Sequence, residues 1–309
     1  MRFDPFYLNT AVSALDQTSA AEQQLTNEIS SGIRLNSLSD DPVAAGENVT
    51  LSSQLSLDDS FSQTESSTVG MLQVADSTLG SVVSQVTQAI SLATEGNNGT
   101  LNASYLQSIA TQLSGIRDEV LSLANTTYMN QYIFSGSQGS TTPFTLNTSV
   151  TPNTVSYNGD SGAGAISYVT TPNGQKIQVN LPGDQIFSDS SDPTNPSTNI
   201  LQTLTNLIAD FSSGTASSSA VSDTTALNSA LNYVSQQRVI LDNSITRLQA
   251  AQSYTQTEGT QVTSAQTTLL QTDIAQVSTQ LSTAETQQAA LTQVVNLLEK
   301  NNGDLFSLL

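Results

Sequence analysis

The chain has 309 residues, 37% of them hydrophobic and 5% aromatic; its apolar content rests on Leu, Val, Ile and Ala, which suits thin helical seams better than one large core. Seven Lys and Arg against 26 Asp and Glu leave a formal net charge of −19, which offers no basic patch for nucleic acid and no attraction to an anionic membrane surface. The chain has no Cys and no His, so a disulfide scaffold and a thiolate zinc site are excluded, and the commonest general base and metal ligand is missing.

The first ten residues lack the uninterrupted apolar core of a signal peptide, and no apolar run is long enough to insert in a membrane. Residues 5–31 are predicted to form a helix. Leu8, Val12, Leu15, Leu25 and Ile29 fall on heptad positions, with Ser19 and Glu22 as weaker members. Gly32 reads as a helix stop, and Asp40 or Asp41 as the cap of a new helix with Pro42 in its first turn. A long helix is predicted from Val43 to about Thr94 and a second at about 103–130, joined by the turn cluster Glu95 to Gly99.

From Tyr132 to Asn199 the chain is rich in Gly, Pro, Thr, Ser and Asn. Short β-branched runs at 132–134, 154–157, 165–169 and 175–181 predict strands, with Asn158-Gly159 and Asn173-Gly174 as turns between them. Helical periodicity returns at 200–211. After a Ser-rich spacer, a helical pattern runs from Thr224 to the C-terminus with few breaks. Its last part carries a second narrow seam: Ile274, Val277, Leu281, Ala284, Leu291, Val294 (or Val295) and Leu298, interrupted by Gln288. Beyond Thr260 the charged residues are Asp273, Glu285, Glu299, Lys300 and Asp304, too few for stabilising ion pairs along the helix. Such a helix depends on packing.

The pattern predicts a mainly α fold with a small inserted β-rich domain. The expected shape is an elongated rod, its long helical bundle or coiled coil built from N- and C-terminal segments and its β module at the far tip. Three domains are expected: residues 1–42 with 265–309 for assembly, 43–131 with 200–264 as a helical rod, and 132–199 as the β-rich insertion. No catalytic, cofactor-binding or metal-ligating constellation is expected. A Ser-His-Asp arrangement is impossible without His, and neither Lys176 nor Lys300 lies in a motif with a serine. The regular spacing of a calcium loop is absent around Asp184, Asp189 and Asp192. The paired carboxylates Asp40-Asp41 and Asp58-Asp59 read as helix caps or solvated faces.

Ser31, Gly32, Arg34 and Asn36, followed by Asp40, Asp41 and Pro42, resemble the N-terminal signature of the bacterial flagellin superfamily. Tyr132, Ile133, Phe134, Ser135 and Gly136 look like the mark of its hook–filament junction branch, the hook-associated protein 3 family. The ending with Leu305 and Phe306 fits the superfamily's apolar C-terminus. This resemblance implies a secreted, non-enzymatic structural subunit of the flagellum. Its expected partners are further copies in a ring, a hook-side junction protein, filament flagellin, a cytoplasmic export chaperone and the flagellar secretion apparatus. It also implies terminal segments that order only on assembly. A filament flagellin and a secreted surface adhesin remain alternatives.

Overall fold

The computed structural model describes residues 5–35, 37, 39–187, 199–215 and 217–306; the side chains of 5–8, 163, 298, 299 and 301–306 lie outside the description. The described elements are α1 (Pro5–Ser31), α2 (Pro42–Gly96), α3 (Ala103–Ala124), β1 (Thr127–Tyr128), β2 (Gln131–Tyr132), β3 (Phe144–Asn147), β4 (Thr154–Tyr157), β5 (Tyr168–Thr170), β6 (Lys176–Gln178), α4 (Gly183–Phe187), α5 (Ile200–Ser212), α6 (Ser218–Leu270) and α7 (Ile274–Phe306). The chain is mainly α with small antiparallel hairpins. It forms two compact units, residues 1–57 with 257–309 and residues 58–256.

The second unit holds the larger apolar core. On α2, Leu72, Ala75, Leu79, Val82, Val86, Ala89 and Ala93 are buried at the three-four spacing of one helix face. They meet Ile109, Leu113 and Val120 of α3, Leu201, Leu204 and Phe211 of α5, and Leu227, Val234 and Leu241 of α6. Helices α2 and α6 run antiparallel, as successive cross-links show. Asn97 donates to Thr224 Oγ1 at 2.9 Å, Arg238 donates to both carboxylate oxygens of Asp76 at 2.8 and 3.1 Å, and Gln252 donates to Ser66 Oγ at 3.0 Å.

Gly70 does not break α2, although glycine costs about 1 kcal/mol relative to Ala in a helix interior. The reason for glycine is close approach. A Cβ there would stand 2.6 Å from the hydroxyl of Tyr128, so the β1–β2 hairpin reaches the helix only where the side chain is missing.

Several predicted boundaries move. Helix α3 stops at Ala124, short of the expected 130, because Asn125 leaves the helix and its side-chain amide exchanges two hydrogen bonds with the Phe144 backbone, both 2.9 Å. Met129 and Asn130 then adopt positive φ, 48° and 64°, and close the β1–β2 turn. Of the run 132–134 only Tyr132 is in a strand, since Ile133 and Phe134 turn into the core. The run 165–169 divides into a 3-10 turn at Ala163–Ala165 and strand β5, and the run 175–181 shortens to β6. Strand β3 was not predicted. It pairs with β4 in register Phe144 to Tyr157, so Asn158-Gly159 follows that hairpin and does not turn it. Asn173-Gly174 does join β5 to β6, with Gly174 at φ +82°. Helix α6 starts at Ser218, inside the Ser-rich spacer, where Ser217 Oγ accepts the Ala220 N–H at 3.2 Å.

Replacing Leu113, fully buried in α3, by Ala is expected to destabilise the second unit by about 2–5 kcal/mol through lost transfer energy and a cavity. Urea denaturation followed by circular dichroism measures this, and an unchanged midpoint would contradict the packing described.

Candidate assembly interface

In the first unit α1 packs against α7, and the end of α1 lies beside the start of α7, so the two are antiparallel. On α7, Val277 and Ala284 are buried, and Leu281, Gln288, Leu291 and Val295 are half-buried. These positions alternate four and three apart, which is a heptad stripe. On α1, Ala11 and Glu28 are buried and Leu15, Glu22, Leu25 and Ile29 half-buried.

Three residues expected in the seam stand outside it. Val12 is 40% exposed, Ile274 57% and Val294 40%. Counting back from Ile29 and Leu25 by alternating threes and fours reaches Glu22, Thr18, Leu15 and Ala11, which leaves Val12 one residue out of phase. The same count places Val295 inward and Val294 outward. Ile274 is in phase, but it is the first residue of α7, where α1 has already turned into its loop. The side chains of Leu8, Leu298, Leu305 and Phe306 lie outside the described set.

The ends of the pair are closed by a backbone clasp. Gly32, at φ +70°, stops α1 in the left-handed region that only glycine enters at little cost. Its carbonyl accepts the Thr272 N–H at 3.0 Å, and the Arg34 N–H donates to the Leu270 carbonyl at 2.8 Å. Ile33 and Gln271 thereby form an isolated antiparallel bridge. The helical pattern expected from Thr224 to the C-terminus with few breaks is divided here, at 271–273. Asp273 Oδ1 starts α7 by accepting the N–H groups of Ala275 and Gln276 at 3.0 and 3.1 Å. An acidic residue just before an apolar-periodic run was the sequence signal for that start.

The signature residues build the neighbouring turn. Ser31 Oγ accepts the Ile33 N–H at 3.2 Å. Asp40 accepts from the backbone and hydroxyl of Ser37 at 2.7 and 2.9 Å. Asp41 Oδ1 caps α2 by accepting the Val43 and Ala44 N–H groups at 3.2 and 3.1 Å, Pro42 is the first residue of that helix, and Arg34 lies 3.4 Å from Asp41 Oδ2. The Ala44 N–H, and after it the Arg34 charge, hold the Asp41 carboxyl below its ordinary value. Asn36 lies outside the described residues. Between α2 and α6 of this unit, Gln266 Nε2 donates to Asn48 Oδ1 at 2.7 Å and Ser52 Oγ at 2.9 Å, an uncharged polar contact.

The second signature has a different location. Tyr132 to Gly136 lies in the second unit, with Phe134 and Ser135 fully buried. The Phe134 ring meets Phe187 edge-on at 5.6 Å, and its carbonyl accepts the Gly183 N–H at 2.8 Å and the Tyr157 hydroxyl at 3.0 Å. This motif is a packing centre for the hairpins. The terminal seam does not include it.

The first unit is thus a thin antiparallel pair of helices closed by a backbone clasp, an architecture of helical packing. Residues 7–139 match the family model described as the bacterial flagellin N-terminal helical region. Flagellar hook-associated protein 3 of Escherichia coli is 30% identical over 247 residues, which is 73% of this chain and 74% of that protein. The Salmonella typhimurium protein of the same name is 35% identical over 138 residues, and this match spans 43% of the chain and 42% of the relative. Two solved structures share the fold. A flagellar hook-associated protein of Vibrio parahaemolyticus has a TM-score of 0.63 at 20% identity, covering 74% of this chain and 99% of that one. A flagellar junction protein of Legionella pneumophila has 0.52 at 15% identity, covering 65% and 98%. The chain belongs to the flagellar hook-associated protein 3 family, structural proteins of the bacterial flagellum.

Replacing Gly32 by Ala is expected to cost about 1–2 kcal/mol, the penalty for a side chain in the left-handed region. Faster hydrogen exchange at the Arg34 and Thr272 amides reads this out. Because the folded Asp41 carboxyl lies below its ordinary 3.8, its contribution is present above that value and lost as pH falls below it. Protection of the Ala44 amide is therefore expected to drop in that acid range, and the Asp41→Asn variant to show no such drop.

Proposed function

We propose that this chain is the structural subunit of the hook–filament junction, assembling as a ring of its own copies between a hook-side junction protein and filament flagellin. It reaches that place outside the cell through the flagellar secretion apparatus, accompanied by a cytoplasmic chaperone until export. The absence of cysteine suits passage as an unfolded chain.

The observation that carries this reading is the poverty of the α1–α7 seam. Among the described side chains of the two helices, the apolar ones that are buried are Ala11, Val277 and Ala284, all small or medium in size. Meanwhile Val12, Ile274, Val294 and Leu297 stay exposed at 40–60%. Apolar surface gains about 25 cal/mol per Å² when removed from water, so neighbouring copies that cover these residues supply what the pair lacks. Faces of Gln, Ser and Thr let identical subunits approach without like-charge repulsion.

A strain lacking the gene is expected to make hooks without filaments and to shed flagellin into the medium, as seen by electron microscopy and blotting of the supernatant. Leu281→Asp and Leu291→Asp are expected to abolish incorporation while leaving the second unit folded; normal motility in such strains would sink the seam as the assembly element. Long filaments grown by the purified protein alone would instead favour a filament flagellin.

A further inference from the structure

The seam between α2 and α6 in the second unit changes character along its length. From Leu72 to Ala93 the inward face of α2 is apolar, but nearer its start the inward residues are Glu65, 0% exposed, and Asp58, 4%. Neither carboxyl oxygen of Glu65 has a hydrogen-bond partner, and on α6 the hydroxyl of Thr255, 2% exposed, also lacks one. Removing a carboxylate from water without a partner strongly favours its neutral form.

Among the described residues no salt bridge to Glu65 compensates. The two cations of α6 are engaged elsewhere: Arg238 binds Asp76 at 2.8 Å, and Arg247 Nη2 points to the Lys176 carbonyl at 3.4 Å. The charged residues nearest in sequence on α2, Asp58 and the exposed Asp59, and Glu258 further along α6 are acidic and offer no counter-charge. Gln252 brings its main-chain N–H near enough to temper the effect, but that N–H already serves its own helix.

We infer that Glu65 is a proton-operated latch in the α2–α6 pair: protonated, it lets the helices close over it, and ionised, it loosens the segments around 58–66 and 252–256. Burial pushes the Glu65 carboxyl up from 4.5 to about 7, in agreement with this geometry. The sign follows from linkage. A carboxyl raised in the closed form contributes stability that is complete below the ordinary value and lost as pH rises through the raised one. With 4.5 for the open form and about 7 for the closed form, the opening equilibrium rises about tenfold between pH 6 and pH 8.

Hydrogen exchange of the full chain at pH 6 and pH 8, corrected for intrinsic rates, tests this on the amides of 58–66 and 252–256. The wild type is expected to lose about tenfold protection there, with amides around Leu79 and Leu113 unaffected, and Glu65→Gln to remove the pH dependence. An equal loss in Glu65→Gln and wild type would overturn the latch. A titration of the Glu65 carboxyl by carbon-13 NMR in the wild type keeps the test independent of the variant. A midpoint near 7 supports the latch, and one near the ordinary glutamate value rejects it.

Discussion

Pairing α1 with α7 requires two stretches of chain that are far apart in sequence to meet; the Arg34 guanidinium and the Leu269 carbonyl, 235 residues apart, lie 3.5 Å from each other. Closing so long a loop carries an entropic cost that grows slowly with length but has to be met by local contacts. The clasp supplies such contacts. Two backbone hydrogen bonds across Gly32, Arg34, Leu270 and Thr272 fix the register, and a left-handed glycine lets the chain turn there. With the register set at one end, the heptad stripes of the two helices come into phase along the rest.

The two units rest on different physics. The second buries Phe134, Phe187, Phe211 and a long row of Leu, Val and Ile side chains, enough apolar surface for a cooperative core. The first has a seam of Ala, Val and half-buried Leu with polar residues between, and its contacts of Gln266 with Asn48 and Ser52 are uncharged. A segment poor in buried apolar contacts opens easily and orders further when a partner covers it. That difference suits a protein whose middle is a folded body and whose ends are proposed to be assembly surfaces. The polar stretch around Glu65 adds a second soft region, inside the helix pair of the folded body itself.

The two signature motifs illustrate how one resemblance can rest on unlike physical causes. Residues 31–42 matter through backbone geometry and capping: a left-handed glycine, an Asp cap and a proline in the first turn. Residues 132–136 matter through packing, since Phe134 joins the aromatic group with Phe187 and Phe144 while its carbonyl holds Gly183 and Tyr157. Reading both as marks of assembly would conflate a helix stop with a core.

By itself the sequence determined the long helices, the position of the β-rich insertion and the first–last pairing, because a three-four apolar period is a local property that survives in any environment. It also determined the stop at Gly32 and a cap at Asp40 or Asp41, which depend on a few adjacent residues; the structure chose Asp41. Only the tertiary structure decided the phase of the terminal seam. Ala11 replaces Val12, and Val295 is chosen over Val294, because a residue in phase with the stripe packs where a neighbour one position out of phase cannot reach. It alone decided that α6 and α7 part at 271–273, since the break is held by backbone bonds to Gly32 and Arg34 from the other end of the chain. Strand β3, too, has weak β signals of its own, and it becomes a strand because Asn125 and β4 supply its partners. The solitary C-terminal seam thus became half of a clasped pair, and what it still leaves exposed is the surface that further copies are proposed to cover.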